Sequence, residues 1–164
     1  MRVSLERVQM NKLGTTKTTI MKISDNGLEL IKQFEGFRAI PYKDVVGKLT
    51  IGFGHLIKPG EAFGALSSTE ATQLLRKDCS KAEACVNNCV KVQLNQNQFD
   101  ALVSFVYNLG CGAFMASTLL KDLNKKDFVA AENEFHKWDH AGGLVVPGLS
   151  KRRKQEAKLF STEV

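Results

Sequence analysis

No stretch of this chain is apolar for long enough to cross a bilayer, and its first residues lack the uninterrupted apolar core of a signal peptide. Those absences leave no candidate membrane-spanning helix and predict synthesis and retention in the cytoplasm. Cysteine is sparse: Cys79, Cys85, Cys89 and Cys111 are too few and too clustered to be a disulfide scaffold. Their spacing predicts free, partly buried thiols. A disulfide formed after release to an oxidising compartment is the alternative, and without matched ligand pairs no zinc site is expected. One tryptophan and two tyrosines leave little for stacking on bases. With no recognition motif beside them, they set aside a nucleic-acid-binding protein. Internal repeats and low-complexity tracts are missing as well.

What the chain does have is positive charge in two places. Its formal charge is +6. Arg2, Arg7, Lys12, Lys17 and Lys22 face only Glu6 in the first segment, and KRRKQEAK at 151–158 repeats the imbalance. Such clusters favour an anionic partner: nucleic acid, a membrane surface or an acidic wall polymer. A length of 164 residues suits one domain with a real hydrophobic core.

Residues 1–22 show weak periodicity and read as a poorly ordered basic extension, with a single domain over 23–164. Ser24 can cap a first helix, 24–35, in which Leu28, Ile31 and Glu35 share one stripe and Gly36 ends the run. From 36 to 66 the pattern turns to four or five short strand segments broken by Pro41, the Asp44–Gly47 turn and glycines. Ser67 and Glu70 then open a long helix running to about Asn88. Asn95 caps another whose Phe99, Leu102, Val103, Val106 and Leu109 have core spacing. STLLKDLN, DFVAAENEFHKW and LSKRRKQEAKLF are shorter helices, the last two parted by a glycine loop. The fold class expected is α+β: a small sheet lobe and a larger helical lobe, joined by the long helix, with a cleft between them.

Glycosidic cleavage requires a proton for the leaving oxygen and a second carboxylate that attacks carbon or activates water. The acid must keep its proton near neutrality in a partly desolvated place, while its partner stays ionised in a wetter one. Glu35, on an apolar stripe at a helix end, suits the first role, and Asp44, in a polar turn, the second. Spacing alone is weak support. The sequence around them, EGFRAIPYKDVVGKLTIGFGH at 35–55, says more. It resembles the signature of the phage-type lysozymes, glycoside hydrolase family 24, at Glu35, Gly36, Arg38, Tyr42, Asp44, Gly47, Thr50, Ile51, Gly52, Gly54 and His55. LNQNQFDALVSFVYNLGCGAF and WDHAGGLVVPGLSKRRKQE are similar to helical-lobe motifs of the endolysin branch, so the likeness runs from about Ser24 to Phe160.

The resemblance implies a lysozyme-like fold and a muramidase that hydrolyses the β-1,4 bond between N-acetylmuramic acid and N-acetylglucosamine in peptidoglycan. It puts Glu35 at the general acid, Asp44 at the second carboxylate and Thr50 at the threonine that positions water. Inversion of configuration follows if the carboxyl groups stand roughly 6.5–9.5 Å apart. Asn108 resembles a sugar-contacting amide, Arg152 or Arg153 is expected near Glu35 or the glycan, and His55 with Asp78 forms a structural pair. No metal and no cofactor are implied. The setting implied is lysis of a phage host: retention in the host cytoplasm, a holin partner that opens the membrane, then action in the periplasm or wall by a monomer. The basic N-terminus could add binding to anionic envelope polymers. Two enzymes acting on the same polymer compete. A zinc amidase would use His136 and His140 on one helix face with Asp139 or His55. A lytic transglycosylase would need no activated water, which Asp44 and Thr50 argue against.

Overall fold

The computed structural model describes residues 19–164; the part of the expected extension at 1–18 lies outside them. Its last residues, expected to be loose, are instead fastened. Met21 N–H donates to Asn87 Oδ1 and its carbonyl accepts from Asn87 Nδ2, both at 3.0 Å. Ile23 N–H donates to Glu83 Oε1 at 2.9 Å. Ser24 caps helix α1 (Asp25–Glu35) by accepting from Gly27 N, and its hydroxyl donates to the fully buried Asp100.

The sheet has three antiparallel strands in the order β1 (Arg38–Lys43), β2 (Leu49–Gly52), β3 (His55–Leu56). That is fewer than the segments counted in the sequence. After β3 the chain turns at Pro59 and Gly60 and runs as loop to Ser67. Pro59 has no N–H to give to a strand ladder, which disfavours a further strand there.

The helix expected from Ser67 to about Asn88 is two helices, α2 (Ser68–Asp78) and α3 (Ser80–Cys89). Its capping box of Ser67 and Glu70 is present as read. The axis breaks at Cys79 because the two halves serve different neighbours: α2 packs on β2 and β3, α3 on the central helix α4 (Gln96–Leu109). Helices α5 (Cys111–Ala116) and α8 (Pro147–Ser161) pack on α4, while α6 (Thr118–Asn124) packs on α7 (Phe128–Glu134), which continues into a 3-10 turn at Phe135–Lys137. The glycine loop before α8 is a small hairpin, β4 (His140–Ala141) and β5 (Leu144–Val145), turning through Gly142 and Gly143. The core lies in this helical lobe. Phe99, Leu102, Val103 and Val106 are buried as their spacing predicts, and Phe105 meets Phe114, Phe135 and Trp138 edge to face.

The cysteines depart from the free-thiol expectation. Cys85 on α3 and Cys111 at the start of α5 form a disulfide, leaving Cys79 and Cys89 free. Gly110 ends α4 and turns the chain so that Cys111 comes back beside α3, a return that spacing along the chain does not reveal. Closing a loop with a sequence separation of 26 constrains the unfolded chain, a contribution of about 2–4 kcal/mol. Cys79 fits the free-thiol expectation: it is fully buried, and desolvation followed by the charges of Glu83 and Asp78 pushes its thiol up to about 12.

Candidate active site

Glu35 is the last residue of α1, and the buried Leu28 and Ile31 on the same stripe fix which way it leaves the helix. Gly36 ends the helix with φ +70, a conformation that side chains other than glycine's rarely tolerate. The Glu35 side chain is 23% exposed. Its Oε1 accepts from Arg152 Nη1 at 2.9 Å. Its Oε2 turns toward the sheet, where a Cβ added to Gly54 would stand 3.0 Å from it. One oxygen is therefore held by a cation and the other is presented against bare backbone.

That approach explains Gly54 twice over, since its φ is also +85. Gly54→Ala should strain the β2–β3 turn and press on Glu35 Oε2. With Glu35 in the acid's role that the resemblance implies, a displacement of about 1 Å at it can cost on the order of 10² in rate, so the variant should lose at least ~10-fold in digestion of the implied wall substrate. Its thermal midpoint, read on the same sample, should fall by only a few degrees; unchanged digestion would contradict the contact's importance.

Asp44 and Thr50 are tied to one residue, Lys48. Asp44 Oδ1 accepts from Val46 N at 3.0 Å and Lys48 N at 2.8 Å, while Thr50 Oγ1 donates to Lys48 O at 3.1 Å. Among the described residues Asp44 Oδ2 takes no side-chain or backbone hydrogen bond, so that oxygen is left for a ligand or water. Thr50 is 3% exposed on β2 and, having used its proton on Lys48, retains acceptor lone pairs.

Arg152, 4% exposed, is gripped from behind: its Nε donates to Glu156 Oε1 at 3.2 Å, its Nη2 to Ser104 O at 3.3 Å, and its guanidinium lies 5.5 Å from the centre of the Phe34 ring. Of the two arginines, one of which is expected near Glu35 or the glycan, Arg152 reaches Glu35. Arg153 does neither: it is fully buried, so a glycan contact is corrected to a supporting one. Its Nη2 donates to Asn108 Oδ1 at 2.5 Å, and its Nε stands 3.1 Å from Glu156 Oε2, off-line for a hydrogen bond. Asn108 itself is exposed at the end of α4, oriented by that bond. Glu156 and Ser104 were not singled out in the sequence. For Glu156 a signal existed, at three and four positions after the two arginines. Burial pushes its carboxyl upward against the opposing pull of Arg153 and Arg152.

His55 pairs with Asp78 as expected, Nδ1 lying 2.8 Å from Oδ2, and also with Glu61 on the following loop, Nε2 to Oε2 at 3.0 Å. The three side chains tie β3 to α2 and to the loop. Burial lowers the His55 pKa, but hydrogen bonds to Glu61 and Asp78, with their charges, outweigh it and leave it above its ordinary value. A base with a raised folded pKa contributes stability that is full below its unfolded pKa and is lost as pH rises through the folded one. The thermal midpoint should therefore fall between about pH 6 and pH 8, near the ordinary histidine range. His55→Gln should flatten that fall, and an equal pH slope in both proteins would contradict the ion pairing.

The alternative metal site does not form. His136 lies in the 3-10 turn after α7 and His140 on β4, paired with Asp139 at 2.7 Å, so they share no helix face. Among the described residues no convergent group of three ligands includes either.

A model of the phage lysozyme family matches residues 32–156. An endolysin of Bacillus phage B103 is 47% identical over 144 residues, covering 87% of this chain and 55% of that protein. An endolysin of Acyrthosiphon pisum secondary endosymbiont phage 1 is 41% identical over 148 residues, covering 87% of this chain and 99% of that one. The solved muramidase domain of SpmX from Asticaccaulis excentricus aligns with a TM-score of 0.79 at 38% identity, covering 87% of this chain and 99% of that domain. This chain spans about half the length of the Bacillus phage endolysins it matches. A family match over most of the chain, a relative of nearly equal extent and a helical lobe set against a three-stranded sheet agree: the chain belongs to the phage lysozyme family.

Proposed function

We propose that this chain is an endolysin-type muramidase, hydrolysing the β-1,4 bond between N-acetylmuramic acid and N-acetylglucosamine. The observation that carries the reading is the division of the two carboxylates' surroundings. Glu35 has one oxygen on Arg152 and the other against the Gly54 backbone, while Asp44 and Thr50 are fastened through Lys48 with Asp44 Oδ2 left over. Glu35 gives its proton to the leaving oxygen, and Asp44 takes a proton from a water that Thr50 helps to orient. Arg152 positions Glu35, and Arg153 orients the Asn108 amide toward a sugar. The SpmX relative is described as a muramidase domain, which supports the same bond as target.

The endolysin relatives support action on the wall, and the route to it is part of the same proposal. The enzyme collects in the host cytoplasm, a holin opens the membrane, and a monomer then acts on the wall, with the basic N-terminal residues adding affinity for anionic envelope polymers. No helix among the described residues is long and apolar enough to cross a membrane. Expression without a holin should leave cells intact until the membrane is permeabilised; spontaneous lysis would contradict this route. To identify the bond, purified peptidoglycan is digested and the products reduced with borohydride. Muramitol at the new ends supports the assignment. New free amino groups would show amide cleavage, and glucosaminitol the neighbouring glycosidic bond, either of which overturns it.

A further inference from the structure

The Cys85–Cys111 disulfide has a third sulfur beside it. Cys89 follows Cys85 by one turn on the same face of α3, and the Sγ atoms of Cys85, Cys89 and Cys111 all lie within 4.8 Å of one another. Cys79, the remaining thiol, is not in the group and is fully buried. Cys89 and Cys111 are partly exposed, so the cluster opens to solvent on one side. In the sequence the cysteines show no paired ligand spacing. The convergence comes from α4 running out and Gly110 bringing Cys111 back to α3.

Three sulfurs at this separation are close to what a single thiophilic ion requires. With metal–sulfur bonds of about 2.3 Å, thiolates around zinc stand about 3.8–4.0 Å apart. Breaking the disulfide lets Cys85 and Cys111 part from bonding distance to that spacing, with Cys89 already near. We propose that in the reduced chain Cys85, Cys89 and Cys111 form a three-thiolate site for one d10 cation, Zn2+ in a cell, with water in the fourth position. Each thiol gives its proton to solvent as it ligates.

The metal and the disulfide are then alternative uses of the same sulfurs. In a reducing compartment the ion joins α3 to α5. Where a disulfide-bearing oxidant of the dithiol class is present, the Cys85 and Cys111 thiolates lose two electrons and form their S–S bond. The oxidant's disulfide accepts both electrons and becomes two thiolates, and the ion, stripped of two ligands, leaves. The α3–α5 connection is thereby kept on both sides of a change in redox compartment.

The test uses the full chain, reduced with a phosphine under anaerobic conditions and freed of metal. Cd2+ titration followed by thiolate-to-metal absorption in the ultraviolet, and Zn2+ titration in competition with a chromophoric chelator, should each give one equivalent. Cys85→Ser, Cys89→Ser and Cys111→Ser should each weaken binding by more than about 100-fold, since loss of even an outer-shell partner costs 10–100-fold. Cys79→Ser should bind as the parent does, and the oxidised parent should not bind stoichiometrically. Should reduction alone unfold the chain, added Zn2+ must refold it, read by near-ultraviolet circular dichroism, because binding then drives folding. Substoichiometric binding, parent-like affinity in Cys89→Ser, or a reduced chain that stays unfolded with Zn2+ would each overturn the proposal.

Discussion

Glu35→Gln should lower the rate of peptidoglycan cleavage by on the order of 10²–10⁴ while the fold survives. The amide has nearly the shape of the carboxyl, and its oxygen can still accept from Arg152 Nη1, the bond that orients the native side chain. What it lacks is the proton that the proposed mechanism gives to the leaving sugar oxygen. Arg152 keeps Glu156 as a charged partner, so the stability loss should be about 1 kcal/mol, the scale of one altered hydrogen bond. Rate is read from release of soluble muropeptides, and fold from the urea midpoint of the same preparation. Near-parental turnover would remove Glu35 from the acid's role. A collapsed fold would show that its bond to Arg152 is mainly structural.

Glu156→Gln should do the reverse, with stability taking the large effect. Glu156 is fully buried between Arg152 and Arg153, themselves 4% and 0% exposed, and it also accepts from Ser104 Oγ at 2.7 Å. Neutralising it leaves the buried Arg153 without a carboxylate and Arg152 with Glu35 alone. Removing one partner of a buried charge pair costs about 3–5 kcal/mol. The urea midpoint should drop accordingly with its slope unchanged. Activity at low temperature should also fall, because Arg152 loses the group that steadies it behind Glu35. A change within about 0.5 kcal/mol, the range of ordinary surface substitutions, would contradict the network described.

The helices were legible where local chemistry decides them. Ser24, Ser67, Asn95, Gly36 and Gly110 mark ends that the structure reproduces, and the apolar spacing of α4 gives its buried face directly. The break at Cys79 was not legible, because the residues on either side continue a helical pattern and the change of packing partner is tertiary. The disulfide stood only as the alternative, and its pairing was not legible for a related reason: the chain reversal at Gly110 brings Cys111 to α3, and nothing in cysteine spacing encodes that. At the site, the resemblance singled out Glu35, Asp44, Thr50 and the His55–Asp78 pair. The side chains that brace them were harder. Glu61 reaches His55 from an irregular loop, and Ser104 reaches Arg152 from another helix. Which of Arg152 and Arg153 reaches Glu35 was not legible in the basic run at 151–154, because it depends on how α8 lies along α4, which turns Arg153 inward.

The central claim is that a water, activated at Asp44 and Thr50, completes a cleavage begun by the Glu35 proton. Digesting purified peptidoglycan in water enriched with oxygen-18, then weighing the new glycan ends by mass spectrometry, tests it most directly. The account predicts reducing N-acetylmuramic acid ends that have each gained one heavy oxygen. Unlabelled 1,6-anhydro ends would contradict it, since they would show the sugar's own hydroxyl, and no water, closing the reaction.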